Sequence, residues 1–348
     1  MQKEVKQTRI SELGEFGLID RLTKGCQIRN KSTLKGVGDD AAVINFGEKS
    51  ILFSTDILTE GIHFNLMYVP LKHLGYKSVI VNLSDIYAMN AIPRQITVSL
   101  ALSAKFSVEA IEELYSGIYL ACEKYGVDLV GGDVASSLTG LTISISVIGE
   151  AEEEEDIVFR SGAKPGDILC VSGDLGGAYM GLQLLERENE VFKVDKNMQP
   201  LFEGYDYILQ RQLKPEARAD ITAAFKKLGI KPTSMIDISD GLSSEILHLC
   251  KNSRVGCRLN EEAIPMDHQT KKMAEELKIN PLVAALNGGE DYELLFTLSE
   301  KDSEKIKNDP DFTIIGKITD SSGGASLITT GGGSVPLKAQ GWNHGNGS

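Results

Sequence analysis

The sequence has no long apolar run, no excess of basic residues and no closely paired cysteines. None of its apolar stretches approaches the roughly 20 residues of a transmembrane helix, so we expect no membrane association. The segment from Met1 to Lys6 lacks the apolar core of a signal peptide, and we expect a cytoplasmic protein. Acidic residues outnumber basic ones by 49 to 36, which argues against nucleic acid as a partner.

Familiar metal-binding and nucleotide-binding patterns are also missing. The five cysteines form no C-x-x-C pair, and their scattered spacing fits reduced thiols. A zinc site at His248, Cys250 and Cys257 is an alternative, but their spacing matches no usual ligand pattern, and we expect a helix face followed by a strand. The chain lacks G-x-x-x-x-G-K-[ST] and the protein-kinase motifs, which excludes an ordinary P-loop protein and a protein kinase.

What the sequence does contain is an alternation of strand and helix signals over 348 residues, enough for two domains. We expect an α/β domain over residues 1–150 and a second over 151–348, with the boundary near the acidic run 152–156, which we interpret as a solvated loop. The predicted strands cover residues 51–53, 95–102, 127–130, 141–148, 168–171, 292–297 and 312–318. Helices are predicted over 71–89, where 79–81 alone would also fit a strand, over 111–125 before Gly126, and between 176 and 229.

The most informative pattern is a set of acidic motifs that we expect at strand ends and in turns. They are Gly36–Ala42, Ser54–Asp56, Asn82–Asp85, Gly131–Asp133, Asp237–Gly241 and Gly288–Tyr292. Each alone is most simply a turn or a helix cap. If several converge, two carboxylates about 5 Å apart repel by roughly 3 kcal/mol, and a bound cation relieves this. Because Mg²⁺ prefers oxygen ligands and bridges carboxylates to phosphates, the set predicts a magnesium and nucleotide site.

In this order and combination, the motifs resemble those of bacterial thiamine-monophosphate kinases, in the superfamily of aminoimidazole ribonucleotide synthetase and selenophosphate synthetase. The resemblance extends from about Ser11 to Trp342 and includes Gly14–Phe16, Gly61–Phe64 and Arg160–Asp167. It implies two α/β domains of the aminoimidazole ribonucleotide synthetase-like type, with a homodimer formed through the N-terminal domains. The implied reaction is the phosphorylation of thiamine monophosphate by ATP, by direct in-line transfer without a covalent nucleophile.

The resemblance also implies roles for individual residues. The implied ligands of several magnesium ions are Asp40, Ser54, Thr55, Asp56, Asp85, Asp133 and Asp237, with Asp240 as a further candidate. The implied ATP contacts are Tyr115, Gly132, Asp133, Arg160 and Ser239, and the implied substrate contacts are His63, Glu290 and Trp342. From the residues alone, Tyr115 fits core packing equally well, Arg160 fits pairing with the acidic run, and Trp342 fits a hydrophobic plug.

Other functions remain as alternatives. Aminoimidazole ribonucleotide synthetase is the nearest one, and a non-catalytic sensor of nucleotides or divalent ions is the alternative from another class. A selenophosphate synthetase needs a reactive cysteine near the N-terminus, and Cys26 lacks that context; a hydrogenase-maturation relative would end in cysteine. The chain also departs from its relatives, with Asn90 where glycine is common and Val134 where they often have threonine.

Overall fold

The computed structural model describes residues 31–339 except 37, 48, 152 and 308, and these residues form two β-sheets and nine α-helices. The strands are β1 (Thr33–Lys35), β2 (Ala42–Phe46), β3 (Lys49–Thr59), β4 (Ile92–Leu102), β5 (Asp128–Ser136), β6 (Leu141–Glu150), β7 (Ile168–Ser172), β8 (Ser234–Asp237), β9 (Gly256–Asn260), β10 (Leu294–Leu298), β11 (Phe312–Thr319), β12 (Ala325–Ile328) and β13 (Ser334–Pro336). The helices are α1 (Leu71–Ala88), α2 (Val108–Tyr125), α3 (Gly177–Val194), α4 (Asp206–Leu213), α5 (Ala219–Leu228), α6 (Leu242–Ser253), α7 (His268–Leu277), α8 (Pro281–Asn287) and α9 (Glu300–Ile306). None of the described helices combines the length and apolarity needed to cross a membrane.

The first sheet has the strand order β1-β2-β3-β6-β4-β5, in which only the pair β4 and β5 is parallel. On β6, residues from Leu141 to Gly149 alternate strictly between buried and partly exposed, so one face of the sheet carries the core. Helices α1 and α2 lie close together because of two glycines. A Cβ on Gly75 would lie 1.9 Å from the Leu114 carbonyl oxygen, and one on Gly117 would lie 1.8 Å from that of Lys72.

Helix α1 is buried on nearly every side because it lies between the first sheet and the second half of the chain. It packs against β3, β4 and β6, while Ala88 at its end packs with Cys170 and Phe225 of the second half. The predicted helix over 71–89 is therefore confirmed. A helix without a solvent face has no single apolar stripe, which explains why residues 79–81 also fitted a buried strand.

The second sheet has the order β13-β12-β9-β11-β7-β10-β8. Its core includes Phe225, Phe296 and Phe312, whose ring centroids lie 5.0 to 5.8 Å apart. Cys250 lies on α6 and Cys257 on β9, both buried, as expected for a helix face and the following strand.

Three motif placements from the sequence were wrong. Ser54–Asp56 lies in the middle of β3 and Gly131–Asp133 lies inside β5, where the sequence had predicted strand ends. Asn82–Asp85 belongs to helix α1 rather than to a strand end or turn. The prediction ended both strands too early because it relied on apolar runs. In the structure, polar and glycine residues continue the two strands at exposed or partly exposed positions.

Candidate active site

Three aspartates from separate parts of the chain meet beside helix α1. One carboxylate oxygen each from Asp40, before β2, Asp85, on α1, and Asp237, at the end of β8, lies within 4.8 Å of the other two. Within residues 31–339, as far as described, no other His, Cys, Asp and Glu side chains converge in this way, so the zinc alternative at His248 finds no support. The Ser54–Asp56 motif lies beside them, with the Ser54 hydroxyl 2.5 Å from Asp85 Oδ2, so the predicted convergence of acidic motifs holds for four of the six.

Burial and repulsion between carboxylates raise the pKa of Asp85, of Asp237 and of the neighbouring Asp56. Burial, and then the charge of Asp40, raise the pKa of Asp56 to about 6 and that of Asp237 to about 8. Burial raises the pKa of Asp85 well above its usual range, with further contributions from Asp56, Asp237 and Asp40. Without a cation, Asp237 therefore retains its proton at neutral pH. An all-oxygen, acidic donor set of this kind fits a hard divalent cation such as Mg²⁺.

Hydrogen bonds with residues of α1 and of strand β3 hold the acids in place. The Ser84 hydroxyl donates to Asp237 Oδ2 at 2.6 Å, and the Ser54 hydroxyl lies 2.5 Å from Asp85 Oδ2. Asn82 Oδ1 accepts the backbone N–H of Asp56 at 3.1 Å. The sequence prediction assigned no role to Ser84 or Asn82, although both lie in the motif Asn82–Asp85 that it singled out.

Arg160 pairs with Asp40 through two hydrogen bonds. Its Nε lies 2.9 Å from Asp40 Oδ2 and its Nη2 lies 2.8 Å from Oδ1, a bidentate geometry. Burial alone would lower the pKa of the Arg160 guanidinium, but the Asp40 carboxylate outweighs it and the net shift is upward. The alternative that Arg160 pairs with the acidic run is not what the structure shows, since Asp40 is its carboxylate partner.

Glu290 lies in a loop that is joined to the Asp237 segment. Its carboxylate accepts from Lys77 Nζ at 2.9 Å and from Gln212 Nε2 at 3.0 Å. The Glu290 N–H donates to the Ser239 carbonyl at 2.7 Å, which fixes Glu290 at a φ of 58°, in the left-handed region. The sequence prediction gave no role to Lys77 or Gln212. A signal for Lys77 was present, because it is a single charged residue close to the apolar residues 79–81 of a buried helix.

Several of the implied metal ligands lie outside this cluster. Thr55 lies on the opposite face of β3, where its hydroxyl donates to the Ile145 carbonyl at 3.0 Å. Asp133 lies on the edge strand β5, three strands from β3 and therefore about 14 Å from Asp56. The N–H of Asp240 donates to a carboxylate oxygen of Glu245 at 3.1 Å.

Three of the remaining implied contacts lie in the first half. Tyr115 is partly buried against the first core, which agrees with the core-packing alternative. Gly132 approaches β4 so closely that a Cβ would lie 1.9 Å from the Val98 carbonyl oxygen. His63 Nδ1 accepts the Thr59 N–H at 3.0 Å. Trp342 lies outside the described residues, as do Gly14–Phe16 and Cys26.

Comparisons with known proteins agree with this architecture. Residues 38–151 match the family described as AIR synthase related protein, N-terminal domain. The thiamine-monophosphate kinase of Aquifex aeolicus is 36% identical over 337 residues, which cover 97% of this chain and 99% of the relative. That of Bacillus subtilis is 33% identical, with 95% and 99% covered. The structure of AaThiL complexed with AMPPCP and TMP has a TM-score of 0.80 at 34% identity, covering 97% and 99%.

Proposed function

The chain belongs to the thiamine-monophosphate kinase family, and on that premise we propose how its residues phosphorylate thiamine monophosphate with ATP. Its two mixed sheets with flanking helices are the aminoimidazole ribonucleotide synthetase-like fold expected from the sequence. The observation that carries the assignment is the match to kinases over 97% of the chain. The meeting of Asp40, Asp85 and Asp237 supplies the chemistry that such a kinase requires.

We propose that Asp40, Asp85 and Asp237 hold Mg²⁺, with Asp56 beside them. Magnesium held there would neutralise the negative charge of the ATP phosphates and so let the substrate phosphate approach. Ser54 and Ser84 keep two of the carboxylates oriented through their hydroxyl groups.

Further ions would be held elsewhere in the site. The proposed ligands outside the cluster remain Thr55, Asp133 and Asp240, whereas Ser54 lies at the cluster, 2.5 Å from Asp85 Oδ2. Because Asp133 is about 14 Å from Asp56, it would serve a separate magnesium position.

The proposed ATP contacts lie on α2, on β5, at Arg160 and in the loop after β8. Arg160 uses Nε and Nη2 for Asp40, which leaves its Nη1 group to face a phosphate oxygen. Tyr115, Gly132, Asp133 and Ser239 complete the proposed nucleotide site. AMPPCP, an analogue of ATP, is bound by the similar protein AaThiL, which supports ATP as the phosphoryl donor.

The substrate phosphate needs no general base. It is already ionised at neutral pH, so one of its oxygens attacks the γ-phosphorus of ATP in line as the bond from that phosphorus to the β-phosphate oxygen breaks, ADP leaves, and no phosphoenzyme forms. Because His63 Nδ1 accepts a hydrogen bond, its ring proton lies on Nε2, which can donate to the substrate phosphate. Glu290 and Trp342 are the other proposed contacts, to the aminopyrimidine and to the aromatic faces of the rings.

We also propose a homodimer formed through the face of the first sheet that the described helices leave uncovered. Phe53 and Ile57 lie on that face of β3, and the Ile57 side chain is 57% exposed. Exposed apolar side chains on a sheet face favour a protein partner.

We propose that residues 1–150 form one domain and residues 151–348 the other. The described cysteines are free thiols, which fits a reducing cytoplasm.

A substrate panel tests this function. The protein is incubated with Mg²⁺-ATP and, separately, thiamine, thiamine monophosphate and purine intermediates, and ADP and products are measured by mass spectrometry. We expect ADP and thiamine diphosphate only with thiamine monophosphate. ADP formed only with a purine intermediate would identify an aminoimidazole ribonucleotide synthetase, and the absence of ADP in every sample would indicate a sensor.

A further inference from the structure

Helix α1 carries a buried lysine that the mechanism above does not use. The Lys77 side chain is 6% exposed, and its Nζ lies 2.9 Å from Glu290 Oε1 and 3.1 Å from the Gln212 carbonyl oxygen. An ammonium group without partners at such a place would be strongly unfavourable, so both acceptors are needed to hold it. Lys77 thus joins α1 of the first half to two segments of the second half.

The Glu290 carboxylate accepts hydrogen bonds on both oxygens but remains partly exposed. Its side chain is 27% exposed, and among the described residues each oxygen accepts one hydrogen bond, from Lys77 or from Gln212. Since a carboxylate oxygen accepts two hydrogen bonds, one position on each oxygen remains for a ligand. The backbone is fixed as well, because the N–H groups of Glu290 and Tyr292 donate to the carbonyls of Ser239 and Ile238.

Lys77 and the acid cluster share one rigid element. Ser84, which contacts Asp237, follows Lys77 by seven residues, and Asp85 follows it by eight, so the rise along α1 is about 12 Å. One end of this stretch holds the Glu290 carboxylate and the other end holds the acids near the reacting phosphates. That arrangement suits a ligand with an amino group at one end and a phosphate at the other.

We propose that Lys77 is a positioning residue for substrate recognition, which fixes the Glu290 carboxylate to accept a hydrogen bond from the amino group of thiamine monophosphate. The proposal rests on the proposed function and on Glu290 as a substrate contact. Without the ammonium group, Glu290 is free to turn away, and the substrate loses an oriented acceptor at the end remote from the reacting phosphate. Substrate binding, rather than the chemical step or ATP binding, therefore depends on Lys77.

The test is the variant Lys77→Met, which retains the length of the side chain without its charge. We expect the KM for thiamine monophosphate to rise about 10- to 100-fold, the range for a lost hydrogen bond to a charged group. The KM for ATP and kcat should stay within about threefold, and Lys77→Arg should restore part of the affinity. Lys124→Met is the control, because it also breaks a lysine–glutamate pair between the two halves, that with Glu216 at 2.7 Å, but leaves Glu290 and its two donors in place.

A double-mutant cycle separates positioning from a general structural effect. In a Glu290→Gln background, Lys77→Met should change the KM by less than about threefold, since the carboxylate that it orients is gone. If Lys77→Met folds poorly, Gln212→Met, which removes the other donor to Glu290, should raise the same KM. An unchanged KM in folded Lys77→Met, effects that multiply in the double variant, or an equal loss of ATP affinity would overturn the proposal. Absence of thiamine diphosphate with the wild type would instead reject the proposed function.

Discussion

The Ser84 hydroxyl on α1 donates a hydrogen bond of 2.6 Å to Asp237 Oδ2, which joins two residues that lie 153 positions apart in the sequence. Both side chains are buried, and the bond stabilises the charged form of Asp237 against the effect of burial. It therefore orients Asp237 toward Asp40 and Asp85. This contact is one of the links by which α1 aligns the second half of the chain with the first.

Replacing Ser84 by alanine should weaken magnesium binding without unfolding the protein. Loss of a hydrogen-bond partner of a metal ligand lowers metal affinity or activity by about 10- to 100-fold. The measurement is the magnesium concentration that gives half-maximal turnover. Ser78→Ala is the control on the same helix, because the Ser78 hydroxyl donates to the backbone carbonyl of Gly75, at 2.8 Å, rather than to one of the clustered acids. Equal magnesium requirements for the two variants would show that the Ser84 contact does not matter.

Asp85→Asn should reduce turnover to below about one hundredth of the wild-type rate, since loss of a ligand should exceed the effect of losing its partner. The fold should persist and gain thermal stability without metal, because a buried acid under repulsion from Asp56 and Asp237 is removed. Asp128→Asn, on exposed β5, is the control and should retain activity. Full activity of Asp85→Asn at low magnesium would contradict the metal assignment.

Without magnesium, the protein should become less stable as the pH rises. In the unfolded chain an aspartate has a pKa near 3.9, whereas in the folded protein that of Asp56 is about 6 and that of Asp237 about 8. The folded state therefore binds more protons, so this stabilisation is complete below about pH 4 and is lost between about pH 4 and pH 8.

Thermal melting with a chelator across this range measures the effect. Magnesium should raise the Tm more at pH 8 than at pH 6, because binding must displace the protons. Asp237→Asn should flatten the dependence in the chelator. A Tm that rises with pH in metal-free wild type, but not in Asp237→Asn, would contradict the upward pKa shift of Asp237.

Asn90 should tolerate glycine but not alanine. Its φ is 57°, and glycine adopts this left-handed conformation without strain, whereas alanine should cost about 1–2 kcal/mol. The Asn90 side chain also donates to the Asp156 carbonyl at 3.0 Å, a bond that both variants lose. Urea unfolding of Asn90→Gly and Asn90→Ala isolates the backbone effect as the difference between them. Equal free energies of unfolding for the two variants would show that the left-handed φ does not restrict which residue is tolerated at position 90.

The sequence was sufficient to predict the two-half α/β organisation and the acids that converge, because motif order and helical spacing are local signals. It placed Ser54–Asp56 and Gly131–Asp133 at strand ends, since apolar runs alone mark only the buried part of a strand. The opposite orientation of Thr55 follows from the alternation within β3, which appears only once the strand is seen to continue to Thr59.

The contacts between the halves were beyond a sequence prediction for a different reason. The pairing of Lys77 with Glu290 joins residues far apart in the chain, and no periodicity within either segment specifies it. The same holds for Arg160, whose nearest acids in sequence are those of the run 152–156, while its carboxylate partner in the fold is Asp40. Such pairs depend on how the elements pack, which a single sequence does not encode in local spacing.

The most direct test of the central claim follows the γ-phosphoryl group of ATP. The wild-type protein is incubated with Mg²⁺ and γ-labelled ATP, with and without thiamine monophosphate, and the label is traced in the small molecules and on the denatured protein. Direct transfer predicts that the label appears in thiamine diphosphate, one for each ADP, and that the protein carries none under either condition. Stoichiometric label on the protein without acceptor, or label released only as inorganic phosphate, would contradict the account.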